Sequence, residues 1–267
     1  MEGTKFFAEA PDVSLRLVGG IVGCKEFVVH DGNVFCLTSR NTLVALPSHE
    51  EYEFYEDILG MGIHEHYIYL VFMTSKIIVF DAICREVVVN FPGMGECIRK
   101  VVVSSDGMYL LSENGFLYKS GFGNIKYVKQ AVACETEDRR SAIQDFWVDG
   151  DSVFYATHIG HVYRDSRMIL KAFDAVRMLV PHSEHLYIVT GRNLLLKYNT
   201  RRLRVLFKAD VGSSRVIRDH LVACDGTAID LSREVFMKIP KDSRCIVRTG
   251  KTLYVLTPSG VFAGASG

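Results

Sequence analysis

The sequence carries no net charge: 31 Lys and Arg balance 31 Asp and Glu over 267 residues. It therefore lacks the positive field with which a dedicated nucleic-acid binder holds a polyanion. It also lacks a long apolar run. The most apolar stretch, residues 67–80, is cut by Thr74, Ser75 and Lys76, so it falls short of the roughly 20 residues that cross a bilayer as a helix. Residues 1–11 bear early acids and no long apolar segment, which argues against a secretory leader. None of the seven cysteines (24, 36, 84, 97, 134, 224 and 245) forms a C-x-x-C pair. Most lie inside apolar runs, as free thiols acting as small hydrophobes do in a reducing compartment. The expectation is a cytoplasmic or nuclear protein without a membrane span.

Catalytic signatures are missing too. No G-x-S-x-G or H-E-x-x-H occurs, and Gly19-Gly20-x-x-Gly23 and Gly121-x-Gly123 have neither a following helix nor the Lys-Ser/Thr of a phosphate loop. Helical periodicity over a dozen residues is almost absent, which sets α/β folds aside.

What is there is a repeat. Seven β-rich runs recur: 34–38, 69–73, 108–112, 153–157, 186–190, 219–223 and 253–257. Three residues past each lies a turn residue, Asn41, Lys76, Gly115, Gly160, Asn193, Gly226 and Gly260, spaced 35, 39, 45, 33, 33 and 34 apart. Gly and Asn tolerate the positive φ of a hairpin turn. Each run is followed by a second β-like run, for example Leu43–Leu46 and Ile77–Phe80, and preceded by another, for example Val101–Val103 before Asp106-Gly107. Apolar fourth runs follow at 87–91, 125–128, 169–173, 205–207 and 235–237, mixed with Lys126, Lys171, Arg204 and Lys238 as protected outer edges are. Four antiparallel strands per unit of 35–45 residues predict an all-β chain, residues 1–267, folded as a single β-propeller of seven four-stranded blades. A large β-sandwich or barrel is the alternative. The seventh unit ends near Val261-Phe262 without a fourth strand, so the N-terminal strand is expected to close the ring. Lys5-Phe-Phe-Ala8 is the first candidate, and Ser14-Leu-Arg-Leu-Val18 competes with it.

Residues 98–112, with their Ser-x-Asp-Gly turn, resemble the first two strands of a WD40 repeat, and 75–81 resemble the third, with Phe80-Asp81 where that family has Trp-Asp. The single Trp, Trp147, precedes Val148, and Gly160-His161 lies in a hairpin, so the family's hydrogen-bond set does not carry over. The resemblance implies a non-catalytic scaffold subunit of a multiprotein assembly, with other protein subunits as partners. By analogy at the level of the fold, the assembly is an RNA-processing or ribosome-assembly particle, with any RNA reached through the larger particle.

Side chains were weighed for chemistry as well. His64 with His66, His158 with His161, and His182 with His185 each supply at most two metal ligands. The Ser104–Gly107 turn lacks the aromatic residue and Thr of a sialidase-type Asp-box. No catalytic, cofactor-binding or metal residue is assigned, and no small-molecule substrate is expected. A hydrolase or small-ligand propeller would need acids and histidines converging on the central channel. A direct RNA binder would need its arginines gathered with exposed aromatics. Charge clusters are the remaining candidates for docking: Arg201, Arg202 and Arg204 first, then Arg139 and Arg140, with an acidic stretch from Glu50 to Asp57 expected after the first blade.

Overall fold

Strands form where β-branched and aromatic residues cluster, and Gly, Asn, Asp and Ser interrupt them. The computed structural model describes residues 8–9, 15–120, 142–172, 174–182, 185–192, 194–199, 202–208, 216–217, 220–222, 227–231 and 235–265. Two strands lead, β1 (Ala8–Glu9) and β2 (Arg16–Gly19). Sheet one holds β3 (Cys24–His30), β4 (Asn33–Thr38), β5 (Thr42–Leu46) and β6 (Glu50–Glu53). Sheet two holds β7 (Ile58–His64), β8 (Tyr67–Phe72), β9 (Ile77–Asp81) and β10 (Glu86–Phe91). Sheet three holds β11 (Ile98–Ser104), β12 (Gly107–Ser112) and β13 (Leu117–Ser120), and its expected fourth run, 125–128, lies outside the described residues. Sheet four holds β14 (Ile143–Asp149), β15 (Ser152–Thr157), β16 (His161–Arg164) and β17 (Arg167–Lys171). Sheet five holds β18 (Val176–His182), β19 (His185–Thr190), β20 (Leu194–Asn199) and β21 (Arg202–Lys208). Sheet six holds β22 (Val216–Ile217), β23 (His220–Val222), β24 (Thr227–Asp230) and β25 (Val235–Lys238). Sheet seven holds β26 (Cys245–Thr249), β27 (Thr252–Thr257) and β28 (Gly260–Ala265). Consecutive strands are neighbours in every sheet. The chain divides into two compact units, Met1–Tyr55 with Leu206–Gly267, and Glu56–Val205.

The second strand of a sheet is buried on both faces, and its alternating side chains enter two different cores. On β12, Met108 and Leu110 pack with Tyr69, Val71, Ile77 and Val79 of sheet two. Tyr109 and Leu111, pointing the other way, pack with Ile143, Phe146 and Tyr155 of sheet four. On β15, Phe154 and Ala156 join Leu179, Leu186 and Ile188 of sheet five. A strand covered on both faces has no polar side, so it reads as a continuous apolar run.

Polar bridges join the same sheets. Asp145 on β14 is buried, yet it receives Lys100 Nζ from β11 at one carboxylate oxygen and the Leu179 N–H from β18 at the other, 2.9 Å away. Lys100 also donates to Phe146 O at 2.8 Å. In the other unit, Arg248 of β26 donates to the buried Asp230 of β24 at 3.1 Å. Such carboxylates tolerate burial because both charge and lone pairs are answered.

The turn after the second strand has its own repeating device. Thr38, Ser112, Thr157, Thr190 and Thr257 end that strand, and all five are buried. Each hydroxyl accepts a backbone N–H from the hairpin: Thr42 at 3.3 Å, Phe116 at 3.2 Å, His161 at 3.2 Å, Leu194 at 3.3 Å and Ser259 at 3.3 Å. Gly160 shows why a small residue follows: φ is 84°, and a Cβ there would stand 2.7 Å from the Asp174 carbonyl oxygen. Sheet two departs from the pattern. Phe72 ends β8, and the left-handed residue is Ser75 (φ 64°), not Lys76 as the spacing suggested. The offset of one residue arises because Phe72 stands where the other second strands end in Thr or Ser. Ser75, fully buried, accepts the Met94 N–H at 2.6 Å instead.

The N-terminal strand does complete sheet seven, but through the second of its two candidates. Arg16↔Ala263 and Leu17↔Phe262 pair antiparallel, whereas Ala8↔Val235 and Glu9↔Phe236 pair parallel, adding β1 to the outer edge of sheet six. Gly19 follows in the same strand opposite Val261, with the Leu46 side chain packed beside it. Pairing β2 removes an open strand edge from β28.

Two outcomes follow from these contacts. Thr157→Val keeps the side-chain shape but strands the His161 N–H, so urea unfolding should show a loss of about 1–2 kcal/mol, with Thr157→Ser near neutral. Removing residues 1–10 should lower the melting temperature only slightly. Removing residues 1–20 should lower it far more and promote aggregation, read by scanning calorimetry and light scattering.

Candidate protein-interaction surface

The first strand-borne candidates lie on β21, the outer strand of sheet five. Its side chains alternate: Leu203 packs against the core shared with sheet four, and Arg202 and Arg204 project to solvent. The Arg202 N–H donates to Asn199 Oδ1 at 2.7 Å, which turns β20 into β21. The arginines therefore sit on the fourth strand itself, two residues apart on one face. Arg201, Arg139 and Arg140 lie outside the described residues.

The acidic stretch is also a strand, not a connection after the blade. Glu50, Glu51 and Glu53 are exposed on β6, the outer strand of sheet one, and Tyr52 donates its hydroxyl to Glu50 at 2.9 Å. Glu56, in the other unit, is ion-paired with Lys76. On β17, Arg167 and Lys171 are exposed, and Lys238 is exposed on β25. Outer strands thus carry blocks of one sign, which the residue pattern showed only as local clusters. A signal for strand placement was available in the alternation of Arg202, Leu203 and Arg204.

One outer strand differs and was missed. On β10, Val87, Val88 and Val89 are 48%, 42% and 36% exposed. Glu86 is its only charged residue.

The histidine pairs are held in local turns. His66 Nε2 stands 3.8 Å from Asp81, and His182 faces His185 across one hairpin. His158 is exposed in the turn before β16, on which His161 lies. Among the described residues no three His, Cys, Asp or Glu side chains gather as a metal-holding group. Asp81, the residue in the Trp-Asp-like position, accepts the Ile83 and Cys84 N–H groups at 2.8 and 2.9 Å. The Cys84 bond foremost, then Ile83, holds its carboxyl below the usual range against the opposing effect of burial.

The Ser104–Gly107 turn is stapled to the strand beyond it. Asp106 accepts from Lys119 Nζ and from the Tyr109 hydroxyl at 2.9 Å, and Lys119 stands 5.2 Å from the Tyr109 ring centre. Burial alone would raise the Asp106 carboxyl, but the Lys119 and Tyr109 bonds outweigh it and hold it low.

No protein-family model matches the chain, and no curated protein sequence matches it. Solved structures do. The Cps50 (Swd1) β-propeller domain of Myceliophteria thermophila is similar at TM-score 0.68 and 9% identity, covering 95% of this chain and 100% of that one. BBS1N, solved in complex with ARL6DN, is similar at 0.67 and 12%, covering 96% of each chain. BamB from Moraxella catarrhalis is similar at 0.61 and 11%, covering 94% and 99%. The fold is a β-propeller. Its seven sheets are the blades that the repeat spacing predicts. Among the described residues no helix is long and apolar enough to cross a membrane.

The low Asp106 value has a consequence for stability. The carboxylate's contribution is complete above its unfolded pKa of about 4 and is lost as pH falls through the lower folded value. Asp106→Asn should therefore weaken the wild-type advantage at neutral pH and flatten the acid limb of stability against pH, measured by urea unfolding from neutral to acid.

Proposed function

We propose that this propeller is a non-catalytic interaction subunit of a multiprotein assembly, with its outer strands and loops as docking elements. One observation carries the reading: exposed charge is sorted by sheet, acidic on β6 and basic on β21. Segregated charge on rigid strands gives separate, sign-selective docking sites, because opposite patches steer partners together and like patches reject the wrong ones. A similar fold occurs in BBS1N, which was solved bound to another protein, and this supports the same use here. The WD40-like turn and strand pattern supports a scaffold of that kind in a single domain spanning the chain. Five described cysteines, Cys24, Cys36, Cys84, Cys97 and Cys245, are in no disulfide, which favours a reducing cytoplasmic or nuclear setting. An RNA-processing or ribosome-assembly particle fits a charge-neutral chain that reaches RNA only through its partners.

Arg202 and Arg204 are the residues to test, with Arg201 beside them. Arg suits the role because its planar guanidinium pairs bidentately with carboxylates and stacks on aromatics. Arg202→Glu with Arg204→Glu should change stability by no more than about 0.5 kcal/mol, since both side chains are exposed. The same change should cut co-purification of partner proteins from the native cells by about tenfold or more. An unchanged set of co-purifying proteins, with normal circular dichroism, removes β21 as a docking strand.

A further inference from the structure

We propose that the open edge of β10 is a strand-addition site that captures an extended, acid-free segment of a partner protein. This rests on the interaction-subunit reading and adds to it a specific recognition mode. Sheet two runs β10-β9-β8-β7, and among the described residues no strand pairs with the outer edge of β10. An outer edge presents a row of backbone donors and acceptors, and proteins guard such edges with charge, bulges or a covering segment. Sheet one guards its edge with Glu50, Glu51 and Glu53, sheet four with Arg167 and Lys171, and sheet five with Arg202 and Arg204. Sheet six has β1 paired with Val235 and Phe236 of its outer strand and an exposed Lys238 beyond them. On β10 the sequence Glu-Val-Val-Val-Asn-Phe places three consecutive exposed valines, whereas Met168 on β17 and Val205 on β21 are single exposed apolar residues beside Arg167 and Arg204.

The bulge against β9 lies between Val87 and Val89, within the valine run itself. From Val89 the ladder resumes with Val89↔Val79, Asn90↔Ile78 and Phe91↔Ile77. A bulge followed by a regular run limits uncontrolled association yet leaves room for one added strand.

The chain itself shows that an outer strand of this fold accepts another. Ala8 and Glu9 pair with Val235 and Phe236 on β25, in parallel. For β10 the occupant is a partner's segment, not a second copy. A stable interface between folded chains buries about 1,200 Å² or more, and a six-residue strand edge offers only a fraction of that. An extended peptide needs less, because ladder hydrogen bonds supply affinity and alternate side chains supply selectivity. The exposed valines call for β-branched and other apolar residues opposite. Glu86 at the start of the strand rejects an acid there and favours Lys or Arg.

The test is selection of linear peptides from a random phage-displayed library against the full-length chain. Selected peptides are then synthesised and their affinities measured for the wild type, for Val87→Lys with Val89→Lys, and for Arg202→Glu with Arg204→Glu. Peptides are expected to be proline-free, β-branched and poor in acids. They should lose about tenfold or more in affinity to the lysine variant and none to the glutamate variant. Hydrogen exchange should slow at residues 86–91 when peptide is bound. Val88→Lys serves if the double lysine variant fails to fold by circular dichroism. Failure to enrich any peptide, undiminished binding to the folded lysine variant, or protection elsewhere overturns the proposal. So does a wild-type dimer in light scattering that the lysine change makes monomeric, since the edge then belongs to a second copy. In cells, loss of partners from the glutamate variant but none from the lysine variant defeats the β10 site while leaving the scaffold reading intact. Peptide capture at β10 by a protein that co-purifies with nothing does the reverse.

Discussion

Six of the seven sheets, those whose second-strand side chains are described, share one constraint: that strand is buried on both faces. Met108 and Leu110 on one side of β12, and Tyr109 and Leu111 on the other, enter separate cores with sheets two and four. No such strand is stable in an isolated sheet, because half of its side chains would face water. Burial at about 25 cal/mol per Å² of apolar surface therefore requires a neighbouring sheet on each face. The polar contacts between those sheets are consequences of that closeness. Asp145 can bind both Lys100 and the Leu179 N–H because sheets three and five flank its own.

The same constraint sorts the sheet from inside to outside. Inner strands carry charge only where a partner answers it, as Lys100 answers Asp145 and Arg248 answers Asp230, whereas Glu50, Glu51, Arg167, Arg202 and Arg204 are exposed on fourth strands. The edge of β10 stands apart because it keeps apolar side chains in the position where selection for solubility favours charge. An apolar exposed edge is a liability unless something uses it.

Turn chemistry holds the blades in register. A buried Thr or Ser ends the second strand in five of the described sheets, and its hydroxyl answers a backbone N–H that the hairpin leaves over. Where Phe72 replaces it, Ser75 takes a left-handed backbone and contributes its own hydroxyl three residues later. In that hairpin the backbone bonds Ser75 N–H to Phe72 O and Phe72 N–H to Lys76 O close the turn, and the Ser75 hydroxyl serves the Met94 N–H outside it.

The sequence by itself determined the strand class, the number of repeats and the four-strand unit, because double-sided burial writes apolar runs and positive-φ turns write Gly and Asn at a steady spacing. It also showed the alternation that places Arg202 and Arg204 on one face. Tertiary structure alone decided between the two N-terminal strands, since both read as β and only the pairing of β2 with β28 and of β1 with β25 separates them. It alone showed Asp145 as a bridge, because the partners Lys100 and Leu179 lie 45 and 34 residues away in the chain. And it alone showed how exposed β10 is: the sequence places 87–91 as an outer fourth run, but only the packed sheet shows Val87, Val88 and Val89 all open to solvent.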